Sequence, residues 1–290
     1  MARASRTESN LGRIPVSAGI GLRAQHHAEW VRCAPEVGWL EAHSENYLHL
    51  DSPAAKVLLR LRERYALSLH GVGLSLGSTD PLDQNHLKKL RHLIECAQPS
   101  LVSEHLSWGS VDGRFVNDLL PLPYTSESLQ HLNDRVDQTQ EALGRPILLE
   151  NISAYLQFAH SDIAEAQFLR ELSRRTGCGL LVDVNNLYVN ERNHGLDARG
   201  FIEAIPAQAV QELHLAGHSV NRMGEVELLI DTHSAPVCEA VWTLYEFAIS
   251  RFGATPTLIE WDSDLPSLDV LVGEAHKAEH LLERHHDLAA

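Results

Sequence analysis

The stretch CGLLVDVNNLYVN (178–190) decides how the chain is to be read. An apolar run ends in Asp183, and Asn186 follows three residues later. Continuous apolar runs mark strands buried on both faces, as in parallel sheets. A carboxylate at the end of such a strand either caps the helix that follows or holds a ligand. Seven further runs of this kind occur along the chain: VSAGIGLR (16–23), VGWLEAHSE (37–45), LSLHGVGL (67–74), LVSEHLSW (101–108), ILLENIS (147–153), QELHLAG (211–217) and TLIEWD (257–262). Amphipathic segments such as 52–66, 83–98 and 126–144 lie between them, with helix stops at Gly144–Pro146 and Gly177. Eight strands alternating with helices predict an α/β fold, a closed (β/α)8 TIM barrel. The competing open doubly wound sheet calls for a glycine-rich first turn, and the first run ends GIGLR without a GxGxxG motif. One barrel domain is expected over residues 12–282, between a flexible 1–11 and a polar tail at 283–290. The long connection 109–128 is expected to form a lid over the barrel mouth.

Composition narrows the function. The 290 residues carry a formal net charge of −15 with histidine neutral, which disfavours nonspecific binding to phosphate backbones, so no nucleic-acid partner is expected. No apolar run is long enough to span a bilayer, and the start of the chain, MARASRTESNLGRIP, has no apolar signal region. The four cysteines, Cys33, Cys96, Cys178 and Cys238, are scattered without a CxxC pair, as expected for buried thiols in a reducing cytoplasm. Histidine is abundant, at 18 residues.

The strand ends carry the chemistry. His70 lies on the third run, Glu104 and His105 on the fourth, Glu150–Asn151 at the end of the fifth, Asp183 on the sixth, His214 on the seventh and Glu260 on the eighth. In a barrel these ends converge on one mouth. After the seventh run, IDTHS (230–234) adds Asp231 and His233, two apart and therefore on one face of an extended segment. Carboxylates and imidazoles gathered so closely repel one another and shift each other's pKa unless cations join them. Histidine and carboxylate ligands without thiolate suit iron, manganese or zinc, and Glu150 sits where it could bridge two ions. Each residue alone has a plainer role: His70 as a core histidine, Asp183 as a helix cap, Asp231-x-His233 as a surface turn. Capping does not account for a polar residue at six strand ends. Glu104 alternates with His105 and is placed facing outward. Asn46, Tyr47, Asn151, Arg192, His194 and His218 lie on or beside the following loops as candidate substrate contacts.

The motifs EAHSENYL (41–48), SLHGVGLSLG (68–77), SEHLSW (103–108), NDLLPLPYT (117–125), LLENIS (148–153), LVDVNNLYVN (181–190), ELHLAGH (212–218), IDTHS (230–234) and LIEWD (258–262) resemble those of the multinuclear non-heme iron-dependent oxidative enzymes. That family includes the methanobactin biosynthetic oxygenase, and the resemblance runs over about residues 12–282. It implies a xylose-isomerase-like TIM barrel with two or three irons at the C-terminal mouth, mixed-valent Fe(II)/Fe(III), and dioxygen as co-substrate. Carried over, His70, His105 and Glu150 would hold one ion. Glu150, Asp183, His214 and Glu260 would hold the second, with Glu150, Asp183 and His214 expected to be catalytic. Asp231, His233 and Asn186 would hold the third. Asn186 departs from the related three-zinc endonuclease barrel, which has histidine there, so the third site is expected to be labile. The implied reaction is oxidation of cysteine residues in a ribosomally made precursor peptide, with a separately encoded partner binding the leader. Two other functions compete: a zinc- or manganese-dependent hydrolase or sugar isomerase, and a non-enzymatic metal-binding protein.

Overall fold

The computed structural model describes residues 14–289; the expected flexible 1–11 lies outside them. Eight strands close a barrel: β1 (Ala18–Gly21), β2 (Trp39–His43), β3 (Ala66–Gly71), β4 (Leu101–His105), β7 (Leu148–Glu150), β8 (Gly179–Asp183), β9 (Val210–Ala216) and β12 (Thr257–Glu260). They follow one another around the ring in chain order and every pairing is parallel. All eight expected strands are present. The outer ring is made by α1 (His27–Cys33), α2 (Pro53–Leu61), α3 (Gln84–Ala97), α4 (Ser126–Leu143), α5 (Glu165–Thr176), α6 (Val184–His194), α7 (Ala198–Ala204), α8 (Glu239–Phe252) and α9 (Leu268–Ala289). The residues expected to form a polar tail thus continue α9 as far as Ala289.

Local chemistry sets the helix ends. The side chains of Ser52, Asp83, Thr125 and Asp183 accept backbone N–H bonds at the starts of α2, α3, α4 and α6, satisfying donors that the helix leaves free. Gly144 and Gly177 end α4 and α5 in the left-handed conformation, as the sequence predicts.

Two hairpins rise from the loops. The expected lid is β5 (Trp108–Val111) paired with β6 (Arg114–Leu120), and β10 (Ser219–Met223) pairs with β11 (Val226–Ile230) after β9. The turn of the first is Asp112–Gly113, with φ of 51° and 69°. Two successive positive φ values suit a tight hairpin, for which Asp-Gly is a favoured pair.

The barrel interior is unusual for its polarity. Such barrels normally fill their centre with branched apolar side chains. Here Ser68 on β3 donates to Glu212 on β9 at 3.1 Å, and His214 on β9 meets Glu41 on β2 at 3.1 Å. These bonds cross the barrel between strands that are not neighbours. The apolar core lies outside the ring instead, between the strands and the helices, with Leu40, Leu67, Leu69, Leu149 and Leu213 fully buried beside Trp30, Phe168 and Tyr245. Each buried leucine there contributes about 1.5–3 kcal/mol.

Candidate metal centre at the barrel mouth

The register of the barrel aligns the polar strand ends. His43 pairs with His70, His105 with Glu150, and Asp183 with His214. Side chains on neighbouring strands at one height point into the same small volume, and six strands contribute.

The first group is His70, His105 and Glu150. His105 Nδ1 lies 3.0 Å from the Gly71 carbonyl, an acceptor only, so the proton of the neutral ring sits on Nδ1. His70 Nδ1 lies 2.7 Å from Ser103 Oγ, and that hydroxyl has the Leu69 carbonyl as its own acceptor at 3.5 Å. Both histidines therefore turn bare Nε2 lone pairs toward each other, 3.2 Å apart. Glu150 Oε2 completes the triangle at 3.3 and 3.2 Å. Three acceptors share no proton, and Glu150 Oε2 has no hydrogen-bond donor. Metal bonds of about 2.0–2.2 Å place ligand atoms about 3.0–3.5 Å apart, so the triangle has the size of one face of a coordination shell. Burial holds His105 down to about 4 and His70 well below its ordinary value, with each other and His214 adding to it for His70. The pair stays neutral, as metal binding requires.

The second group is Glu150, Asp183, His214 and Glu260, whose ligand atoms lie within 4.8 Å of one another. Burial pushes Glu150 well above the carboxylate range, and burial with Asp231 nearby raises Asp183 to about 7. His214 is drawn upward against its burial by Glu41 and Glu260. Glu260 is held well down, because His233 and His214 outweigh its burial.

Asp183 divides its two oxygens. One oxygen accepts the Asn186 N–H at 2.6 Å and caps α6; the other is buried without a partner. Asn186 leaves its Oδ1 unpartnered and donates its amide to the Asn151 carbonyl. Asp231 and His233 approach to 2.7 Å, and His233 Nδ1 is 3.2 Å from Asp262. His233 groups with Glu260 and Asp262, and Asp231 lies outside that group. His70, His105, Glu150, Asn186, Asp231, His233 and Glu260 all line a cavity of ≈ 200 Å³, and Asp183 and His214 lie beneath it through their contacts with Glu150 and Glu260.

The six candidate substrate residues do not line that cavity. Asn46 is exposed, and Tyr47 is buried in the core with its hydroxyl on His27 and the Leu22 carbonyl. Asn151 exchanges two hydrogen bonds with the Asp183 backbone, tying β7 to β8. Arg192 and His218 lean on Tyr188, and His194 bonds the Ala154 carbonyl. All are polar residues that follow strands, and their partners turn out to be backbone and neighbouring side chains.

Several residues of the site escaped the sequence reading. His43 and Asp262 line the cavity, with Arg23 bridging Asp262, Glu260 and His43. Glu41 and Glu212 lie one layer deeper, against His214. The signal was present: Glu41-x-His43, Glu212-x-His214 and Glu260-x-Asp262 repeat the two-residue spacing recognised only in Asp231-x-His233. Glu104 does face away from the centre, over Gly71 and toward Glu45. The first hairpin closes one side of the cavity, β6 supplying Asp118 and Leu119 beside Val72, Ile152 and Tyr155.

With this geometry in hand, comparison with known proteins is decisive. Residues 17–283 match the model of the RiPP precursor modification enzymes MbnB/TglH/ChrH. The chain belongs to that family. It is 50% identical over 264 residues to a UPF0276 protein of Vibrio vulnificus, covering 91% of each chain, and 48% identical over 290 residues to a UPF0276 protein of Bordetella pertussis, covering 100% of this chain and 99% of the other. Solved structures of similar fold include D-psicose 3-epimerase from Clostridium cellulolyticum H10 (TM-score 0.57, 12% identity, 93% of this chain and 99% of that one) and the IOLI protein with a bound zinc atom (TM-score 0.57, 10% identity, 93% and 99%). At that identity they establish the xylose-isomerase-like barrel alone. Membership makes a ribosomally synthesised precursor peptide the substrate of the family's reaction. Among the described residues no helix is long and apolar enough to cross a membrane.

Proposed function

We propose that this member of the family is a multinuclear non-heme iron oxidase that modifies cysteine residues of a precursor peptide with dioxygen, in the cytoplasm and with a separately encoded leader-binding partner. The observation that carries the reading is the convergence of bare lone pairs from His70, His105 and Glu150, beside unpartnered oxygens on Asp183 and Asn186, at one end of one cavity. His70, His105 and Glu150 would hold one iron; Glu150, Asp183, His214 and Glu260 a second; Asp231, His233 and Asn186 a third, more labile one. Bound there, mixed-valent iron would supply the redox chemistry and a position for a cysteine thiolate.

The chain's own residues prepare the reaction. Glu150 presents one oxygen to the His70–His105 pair and the other toward His214 at 3.7 Å, which suits a bridge. Arg23 engages Asp262 and Glu260 Oε1, leaving Glu260 Oε2 directed at His214. A cavity of ≈ 200 Å³ is of a size to take one side chain. Val72, Leu119, Ile152 and Tyr155 give it an apolar wall suited to a thiol, and the β5–β6 hairpin shields that side from water.

The test is metal analysis and Mössbauer spectroscopy on protein expressed with added iron and purified without air, followed by oxygen uptake with cysteine peptides encoded nearby. Two or more irons per chain, some antiferromagnetically coupled, and peptide-dependent oxygen uptake are expected. Stoichiometric zinc or manganese, with iron failing to support activity on reconstitution, would overturn the reading in favour of hydrolysis or isomerisation.

A further inference from the structure

The four histidines around the centre share one arrangement. Each turns one nitrogen inward and rests the other on an acceptor: Ser103 Oγ for His70, the Gly71 carbonyl for His105, Asp262 for His233 and Glu41 for His214. Glu41 differs from the other three because it is a carboxyl side chain with no exposure at all, two residues below the mouth on β2, inside the ring. Its Oε2 is 3.1 Å from His214 Nε2, while its Oε1 has no partner. Glu212, also fully buried, has one oxygen bonded by the Ser68 hydroxyl at 3.1 Å and the other 3.6 Å from His214 Nε2, beyond hydrogen-bond range. So of the two carboxylates beneath His214, Glu41 is the acceptor. On the other side of the ring, His214 Nδ1 faces Glu260 Oε2 at 3.0 Å and Glu150 Oε1 at 3.7 Å.

We propose that Glu41 is a positioning residue for the second ion: by accepting from Nε2 it fixes the His214 tautomer with the proton below and the Nδ1 lone pair facing Glu150, Asp183 and Glu260. This rests on the reading that those residues hold a metal. The argument is one of proton count. A neutral imidazole carries one N–H, and a carboxylate can only accept. With a cation taking the Nδ1 lone pair and drawing on Glu260, the single N–H left to the ring lies on Nε2, where Glu41 Oε2, buried and 3.1 Å away, is placed to accept it. That bond also makes the ring a stronger donor at Nδ1, as carboxylate–histidine pairs do in other metal sites. A glutamine in its place could turn its NH2 toward Nε2, which would move the ring proton to Nδ1 and block the inward lone pair.

The experiment uses the full chain with 15N-labelled histidine, loaded with zinc as a diamagnetic probe, together with iron-binding titrations of the wild type, Glu41→Gln and Glu212→Gln. In wild-type protein the His214 signals should show a protonated Nε2 and a metal-bound Nδ1. Glu41→Gln should weaken one metal equivalent about 10–100-fold and shift the His214 nitrogen signals, with Glu212→Gln changing affinity by less than about 3-fold. A wild-type spectrum with metal on Nε2 would overturn the assignment without recourse to any variant. So would a Glu41→Gln protein that binds iron as the wild type does. A wild-type chain that takes up no metal would overturn the metal reading itself, and the proposal with it.

Discussion

Replacing Glu150 by glutamine should divide stability from metal binding. The carboxylate is 1% exposed, and its Oε2 lies 3.3 and 3.2 Å from two ring nitrogens that both present lone pairs. Burial, with Asp183, Glu260 and Glu41 adding to it, raises the Glu150 pKa, and an ionised Glu150 meets those lone pairs unfavourably in the metal-free protein. Glutamine has nearly the same shape, carries no charge and can donate its NH2 to His70 or His105. At a pH where Glu150 is ionised, one new buried hydrogen bond is worth about 1 kcal/mol, which in a chain of this size raises Tm by about 2–4 °C. With metal the effect reverses. Losing a second-shell partner typically weakens binding about 10–100-fold, or about 1.4–2.7 kcal/mol, and losing a ligand that serves two ions should exceed this at both. The assay is paired: thermal melts with and without iron, and metal content after desalting. Expected are a higher melting point without metal, a smaller or absent increase on adding iron, and loss of more than one equivalent. A Glu150→Gln protein that melts lower without metal would refute the lone-pair argument, and one that loses a single equivalent would refute the bridge.

Asn186→Ala should release at most one ion, since only the unpartnered Oδ1 is offered inward; loss of all metal on analysis would show the three sets misassigned. Melts of the metal-free protein should fall as pH rises from about 6.5 through about 7 and beyond. Asp183 and Glu212 hold protons up to about 7, Glu150 is raised well above the carboxylate range, and His214 and His233 are raised well above the ordinary histidine value, so the folded chain binds more protons than the unfolded one there and loses stability as they leave. The depressed His70 and His105 act in the opposite sense only below the ordinary histidine value. Bound metal should flatten the profile, and metal uptake near pH 7 should release protons measurable in weak buffer; a metal-free melting point that rises over this window would sink the account. Gly71→Ala should destabilise the fold by about 1–3 kcal/mol, because a Cβ there runs into the Glu104 carboxyl while the Gly71 carbonyl holds His105. Circular-dichroism melts would check it, with unchanged stability the contrary result.

The barrel was legible because its signal is redundant. Eight apolar runs with intervening amphipathic segments leave few topologies, and an error in one would not change the ring. The upper layer of the centre was legible for the same reason, since His70, His105, Glu150, Asp183, His214 and Glu260 each end a run. The deeper layer was hidden by expectation. Glu41 and Glu212 sit where such barrels hold aliphatic side chains, and nothing local says that a glutamate inside an apolar run points inward. The spacing to His43 and His214 does say it, but only once those histidines are placed. His43 was overshadowed by Asn46 and Tyr47, which lie nearer the loop and look more like contacts than they are. The first hairpin is announced by Asp112–Gly113, but its strands, RFVNDLL (114–120) above all, are exposed and lack the two-residue alternation of a half-buried strand. The second turns at Gly224 without a preferred pair before it, and no short-range pattern marks it.

Asp183 shows why the plain and the functional readings of a strand end need not compete. A carboxylate has two oxygens with lone pairs to spare. One caps α6 and so fixes the side chain against the helix; the other, held by that same bond, is aimed without freedom at Glu150 and His214. The cap is the positioning device. The same economy recurs across the mouth: the carbonyl of Gly71 belongs to β3 and orients His105, and Ser103 on β4 orients His70. The backbone pairings that build the barrel therefore set the donor directions of the centre, and the ring cannot close in register without bringing the lone pairs together. The distant epimerases share that ring. The features that narrow the mouth of this chain lie beyond it, in the β5–β6 hairpin and in the Asp231–His233 segment that follows β11. Selectivity for a peptide is to be sought there: exchange of the β5–β6 hairpin should change which substrate enters while leaving the metal content of the ring unchanged, and a loss of metal on that exchange would mean that the hairpin is part of the centre and not its wall.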